Sequence, residues 1–125
     1  MHYPWLPLLE QLKMPIPWTI AQRQAVTGTL QKYPPASNHC EEAADEILPV
    51  AREQDAKARV MRIKPKGRAP FVVPKFNLAR PWFEHFTTEV VVHYVDALTG
   101  PEGTMVDDYL QSHWKYPDCL DVESR

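Results

Sequence analysis

The chain is poor in glycine and in cysteine, and it has no long apolar run. Four glycines stand against 13 prolines in 125 residues. Because proline interrupts helices and central strands, we expect short elements joined by stiff connections. No stretch of about 18 apolar residues occurs, and this excludes a transmembrane helix.

The chain also lacks a strong charge of either sign. Its formal net charge of −2 provides no general attraction to nucleic acid or to an anionic membrane. Residues 57–68 form a basic run without acidic residues, but the aromatic side chains that would stack on bases are missing there. We interpret this run as a solvated strand face with a basic loop; a surface for an acidic partner is the alternative. Neither nucleic acid nor a membrane is expected as a partner.

The N-terminal segment does not have the pattern of a signal peptide. Residues 1–18 are interrupted by four prolines and lack a basic start and a small-residue cleavage site. The two cysteines form no CxxC pair, which favours a reducing compartment such as the cytoplasm. The alternative is a single Cys40–Cys119 disulfide, which would silence Cys40 as a nucleophile.

The residues that are present suffice for one folded domain. A hydrophobic content of 44% can fill a single core, and 125 residues is a common domain size. We therefore expect one domain over residues 1–125, with a helical segment over residues 1–37. Apolar spacing predicts helices over residues 5–13 and about 19–32 within that segment.

The most informative helix begins near Cys40. Asn38 and Glu41 form a capping-box-like pair that places the helix start at residues 39–40. Pro49 predicts a kink or an end nearby. Small and apolar residues recur at helical spacing along one face: Cys40, Ala43, Ala44, Ile47, Leu48 and Ala51. The opposite face is acidic and should be exposed: Glu41, Glu42, Asp45 and Glu46.

After Lys57 the pattern changes to strands. Residues 58–64 and 71–73 are candidates, and residues 83–98 are long enough for a hairpin. A turn at residues 100–103 precedes a last helix, with Thr104 as its cap and Asp107 at its third position. Helices followed by a mostly antiparallel sheet predict an α+β fold.

A cysteine in the first turn of a helix has the setting of a nucleophile. A thiol becomes reactive when a helix N-terminus and an imidazolium lower its pKa, and Cys40 meets the first condition. If the chain reverses near Val90 and Val91, His85 and Asp96 lie directly opposite each other on adjacent strands. Asp96 would then hold the His85 ring, as the third group of a triad does.

Each of these residues also has a simpler interpretation. A lone cysteine on an apolar helix face is usually a core residue, and His85 and Asp96 can be ordinary strand residues. The residues around Val91 lack the asparagine and glycine that tight hairpins prefer. If residues 83–98 form one strand, Asp96 points away from His85, and His93 shares the His85 face.

Two other candidate sites have weaker support in the sequence. Cys119 with His113 is an alternative nucleophile and base, close to the C-terminal end. His39 and Cys40 are adjacent, which suits joint metal ligation poorly, and neither HxxxH nor CxxC occurs. No metal or other cofactor is predicted.

The order of these motifs resembles the papain-like fold toxins, small cysteine hydrolase domains of bacterial polymorphic toxin systems. The resemblance rests on NHCEEAA at residues 38–44, EHF at residues 84–86 and YVDALTG at residues 94–100. It covers roughly residues 38–110 and leaves the first 37 unmatched. It implies a papain-like α+β fold, in which the cysteine-bearing helix packs on a small, mostly antiparallel sheet.

The same resemblance implies a triad with Cys40 as nucleophile, His85 as general base and acid, and Asp96 as orienting group. The backbone N–H of Cys40 would be one oxyanion-hole donor, and Asn38 or Gln31 the other. The expected substrate is a protein, peptide or side-chain amide, and the reaction is that of a peptidase, a deamidase or an acyltransferase that joins acyl groups to amines. As a toxin or effector, the domain would be delivered into a target cell's cytoplasm and opposed by an immunity protein. The alternatives are an NlpC/P60-type amidase and a non-catalytic protein-binding domain with Cys40 in its core.

Overall fold

The computed structural model describes residues 14–75 and 82–125. These residues form three α-helices, an antiparallel five-stranded sheet and a two-stranded sheet. The α+β prediction is confirmed, whereas the helix predicted over residues 5–13 lies outside the described residues. Within the described ranges, no helix combines the length and the apolar character needed to cross a membrane.

Helix α1 spans Ile20–Lys32 and confirms the prediction over residues 19–32. Its cap is Thr19, whose hydroxyl accepts the backbone N–H of Gln22, while the Gln22 side chain accepts the backbone N–H of Thr19. This reciprocal capping box satisfies two backbone donors at the helix start and fixes where the helix begins.

Helix α2 spans Cys40–Gln54 and begins at the predicted residue, but with a different cap. His39 is the cap and makes no side-chain capping bond, so the predicted Asn38–Glu41 capping box was wrong. Asn38 instead lies in the left-handed region, with φ 61°, at the end of the 3₁₀ turn Pro35–Ser37. Asparagine tolerates that backbone conformation better than most residues do.

The two faces of α2 follow the predicted pattern. The inner face is buried at Ala43, Ala44, Ile47 and Ala51. The four acidic residues of the outer face are exposed, as expected. Pro49 does not end the helix, which continues for five residues to Gln54. Because Pro49 and Asp45 are both exposed, water can replace the backbone bond that proline cannot make.

The main sheet contains five strands in the order β5-β4-β3-β1-β7, all antiparallel. Their bounds are β1 Arg59–Pro65, β3 His85–Val90, β4 His93–Val95, β5 Thr104–Met105 and β7 Leu120–Ser124. Two short strands, β2 Val73–Pro74 and β6 Trp114–Lys115, form the second sheet. Strand β7 was not predicted, and its pairing with β1 ties the C-terminal segment into the sheet.

Strands β3 and β4 form the predicted hairpin, so the single-strand alternative was wrong. The chain reverses at Val91 and Val92, which have φ of 47° and 62°. That region is unfavourable for β-branched residues. Two tertiary bonds hold the turn: the Val91 N–H donates to Asp55 Oδ2 at 2.9 Å, and the Val92 carbonyl accepts the Val106 N–H at 3.0 Å.

Helix α3 spans Val106–His113, and its predicted cap was wrong. Thr104 belongs to strand β5, where it pairs with Tyr94, and Met105 takes the cap position. The strand pairing extends the chain through residue 105, so the helix can begin only afterwards.

Candidate active site

The three residues predicted to act together line one cavity. Cys40 is the first residue of α2, His85 is the first residue of β3, and Asp96 directly follows β4. Apolar side chains, including Ile47 and Trp82, form much of the remaining wall. The cavity volume is about 10 Å³, which is room for about one water molecule.

His85 and Asp96 are bonded to each other, with His85 Nε2 3.0 Å from Asp96 Oδ2. The prediction that they lie directly opposite was wrong by two residues. Thr88 pairs with Val95, so the same register places Asp96 opposite Thr87 and diagonal to His85. Residues 85 and 87 point to the same side of their strand, and the diagonal contact therefore still forms.

The Asp96 carboxylate is buried and fully hydrogen-bonded. Its Oδ2 accepts from His85 and also from the Tyr109 hydroxyl at 2.6 Å, while its Oδ1 accepts the N–H groups of Leu98 at 2.8 Å and Thr99 at 3.1 Å. Burial alone would raise its pKa, but the bonds from His85 and Tyr109 outweigh burial and hold the pKa below its ordinary value. Asp96 is therefore ionised at neutral pH.

The His85 ring is enclosed by two tryptophans. Trp82 stacks on it with ring centroids 5.1 Å apart, and Trp114 meets it edge-on at 5.2 Å. Burial favours the neutral ring, but Asp96 and Cys40 together raise the pKa of His85 to about 9. At neutral pH His85 is therefore an imidazolium paired with the Asp96 carboxylate.

The two ring nitrogens of His85 have different surroundings. Nε2 is engaged by Asp96, whereas Nδ1 is buried without a hydrogen-bond partner among the residues described. A buried polar atom without a partner is costly and is found at functional sites. Nδ1 is therefore the ring atom left to exchange a proton with a group in the cavity that Cys40 lines.

Three residues of this site were missed by sequence reasoning: Tyr109, Trp82 and Trp114. Tyr109 is buried on α3. Only its hydroxyl signalled a second function, because a buried tyrosine hydroxyl usually finds a polar partner. The two tryptophans gave no local signal, since their contacts with His85 arise from the tertiary fold.

Of the other residues considered for the site, only one lines the same cavity. Asn38 lines the cavity with Cys40, whereas Gln31 is exposed on α1 and is not part of its lining. His93 Nδ1 bonds the Val91 carbonyl at 2.7 Å, and His93 does not line the cavity either.

Cys119 lies apart, exposed at the end of the 3₁₀ turn Pro117–Cys119, and both cysteines are free. His113, its suggested partner, has its Nε2 2.7 Å from the Thr104 hydroxyl. No three histidine, cysteine or acidic side chains cluster as metal ligands within residues 14–75 and 82–125.

Comparison with protein-family models, curated proteins and solved structures finds no match for this chain.

Proposed function

We propose that this chain is a papain-like cysteine hydrolase that cleaves a peptide or side-chain amide through Cys40. The observation that carries the proposal is the buried His85–Asp96 pair in the cavity lined by Cys40. A buried ion pair is often no more stabilising than apolar residues of the same volume. A domain that needed Cys40 only as a core residue would have little reason to keep such a pair beside it.

The chemistry begins with the thiolate form of Cys40. A neighbouring imidazolium and a helix N-terminus both favour a thiolate, and His85 and α2 supply them. The thiolate attacks the carbonyl carbon of the amide, and the carbonyl oxygen becomes an oxyanion. The Cys40 N–H, at the open start of α2, is one donor for that oxyanion, and the Asn38 side chain is the candidate for the second.

His85 then moves the proton that each later step requires. Its Nδ1 donates a proton to the leaving nitrogen as the C–N bond breaks, and a thioester on Cys40 remains. The neutral ring next accepts a proton from a water molecule that attacks the thioester. Breakdown of this second intermediate releases the carboxylic acid and restores the thiolate and the imidazolium. Asp96 keeps the ring oriented and stabilises its charged form.

The resemblance to papain-like fold toxins supports a proposal for the biological role of this domain. The chain places the cysteine at the start of a helix, the histidine at the start of a strand, and the aspartate after the next strand. We propose on that basis a toxin domain that a basic immunity protein restrains. The exposed acidic face of α2, next to Cys40, is the surface that such a protein would bind.

The test is hydrolysis of a pooled peptide library, with products identified by mass spectrometry. Wild-type protein should generate cleaved or deamidated peptides, and Cys40→Ala and His85→Ala should generate none. Cooperative unfolding of both variants would show that the loss is chemical. Equal product from wild type and Cys40→Ala, or no product from wild type, would contradict the proposal.

A further inference from the structure

An open cleft leads from Cys40 to the surface. Its volume is about 270 Å³, against about 10 Å³ for the buried cavity that Cys40 also lines. A substrate that reaches Cys40 must therefore lie in the open cleft. The lining consists of acidic, aromatic and amide residues around the thiol: Asn38, Cys40, Glu41, Glu42, Phe83, Glu84 and Phe86.

Two carboxylates of the cleft are held by arginines from outside it. Glu41 pairs with Arg125 at 3.2 Å, and Glu84 pairs with Arg62 at 2.6 Å. Each arginine is shared with a second carboxylate: Asp45 for Arg125 and Glu123 for Arg62. Lys64 also pairs with Glu123 at 2.9 Å, so Arg62 and Lys64 together balance Glu84 and Glu123. Arg125 alone is divided between Glu41 and Asp45, so the negative charge of the cleft remains at the end formed by α2.

Glu42 has the least compensated charge in the cleft. Its ionisable partner among the described residues is His39 at 3.5 Å, and it pairs with no lysine or arginine of that part of the chain. Its side chain is 55% exposed, so it can reach a bound ligand. A ligand that carries a positive charge would supply the missing partner.

Phe83 adds an aromatic surface to the same cleft. It is 74% exposed, which is unusual for so large an apolar side chain, and its ring lies 5.5 Å from that of Phe71. An aromatic ring next to a carboxylate suits lysine or arginine, because the ring attracts the cation and contacts the methylene stem.

We propose that this cleft selects substrates with a lysine or arginine side chain next to the carbonyl that Cys40 attacks. Glu42 pairs with the cation and Phe83 contacts its stem. The inference rests on the proposed function, because the cleft matters only if Cys40 reacts. The cleft differs from an ordinary acidic surface because Cys40 lines it. Cys40 also lines the buried cavity with His85, whose Nδ1 has no hydrogen-bond partner among the described residues.

The test measures alkylation of Cys40 by three acetylated amino-acid chloromethyl ketones, those of arginine, leucine and glutamate. Mass spectrometry gives each rate, and iodoacetamide gives the rate for a small neutral reagent. The arginine probe should react about fivefold faster than the leucine probe, as expected for an exposed ion pair with a cation–π contact. The glutamate probe should be the slowest.

Substitutions show which residues cause the faster reaction of the arginine probe. Glu42→Gln and Phe83→Ala should each reduce the arginine-to-leucine ratio, whereas Glu53→Gln, on the exposed far end of α2, should leave it unchanged. Fast iodoacetamide alkylation of Cys40 with an arginine-to-leucine ratio near one would overturn the cationic cleft and leave the hydrolase proposal standing. Iodoacetamide alkylation of Cys40 slower than that of Cys119 would overturn both.

Discussion

The two cysteines of this chain lie in contrasting surroundings. Cys40 begins α2, is half-buried, and lines a cavity with His85 and Asp96. Cys119 is exposed and lines a surface groove with Phe71 and Tyr116. No charged pair lines that groove among the described residues. The contrast shows that a charged histidine nearby, rather than exposure of the thiol, distinguishes the candidate nucleophile.

His85 and His113, the histidines considered as partners of the two cysteines, differ in their charge at neutral pH. Asp96 and Cys40 raise the pKa of His85 to about 9 in spite of its burial. Burial lowers the pKa of His113, and no carboxylate bonds its ring in the described structure. His85 is therefore charged at neutral pH and His113 is neutral, and only the first can stabilise a thiolate.

The largest expected effect comes from removing the charge on Asp96. Asp96→Asn removes the counter-ion of His85, so the buried ring loses its proton and the ion pair is lost; we expect a loss of about 3–5 kcal/mol in the free energy of unfolding. Iodoacetamide should then alkylate Cys40 no faster than Cys119. Asp118→Asn, the matched change beside Cys119, should alter neither quantity. Retention of fast Cys40 alkylation in Asp96→Asn would contradict the role of this pair.

The pH dependence of stability should show a somewhat smaller effect. Because folding raises the pKa of His85 from 6.5 to about 9, its stabilisation is complete below pH 6.5 and is lost as pH rises through 9. Taken alone, this shift corresponds to about 3 kcal/mol between pH 6 and pH 9.5. A Cys40 thiolate would have lost its proton on folding and would oppose the slope, so urea unfolding of Cys40→Ala at the two pH values measures it.

Two histidine substitutions, each made in Cys40→Ala, show which group causes this pH dependence of stability. His85→Phe should flatten it, whereas His113→Gln should retain it, because the lowered pKa of His113 acts only below pH 6.5. The same slope in Cys40→Ala with and without His85→Phe would show that other groups cause it.

Removing the Tyr109 hydroxyl should have a smaller effect. Tyr109→Phe deletes one charge-assisted bond but leaves His85 and two backbone N–H groups on Asp96. We expect a loss of about 2 kcal/mol in the free energy of unfolding and a smaller decrease in Cys40 alkylation than in Asp96→Asn. Tyr116→Phe, beside Cys119, should change stability by less than about 0.5 kcal/mol. Equal effects of the two variants would contradict the assigned bond.

Local patterns explain which parts of the fold were predictable. The buried face of α2 follows from apolar spacing within 12 residues, from Cys40 to Ala51. The start of α2 was predicted at the right residue, but from a capping box that does not form. The hairpin was predictable from its length and composition, but its Val91–Val92 turn was not. That turn depends on Asp55 and Val106, which are distant in sequence and hold an unfavourable backbone conformation.

The candidate site was predictable only in its outline. The residue types and their order suggested Cys40, His85 and Asp96, whereas their geometry depends on the diagonal register of β3 and β4. Tyr109 and Trp114 reach the site from α3 and β6, and no spacing rule connects them to His85.

The most direct test of the central claim is the pH dependence of alkylation at each cysteine. Iodoacetamide is applied between pH 5 and pH 9, and mass spectrometry gives the rates for Cys40 and Cys119 separately. If His85 holds Cys40 as a thiolate, Cys40 should react faster at pH 6 despite its lower exposure, with little change up to pH 8. Cys119 is the reference thiol at each pH. A Cys40 rate that stays below that of Cys119 and rises in parallel with it would show that Cys40 is an ordinary core thiol.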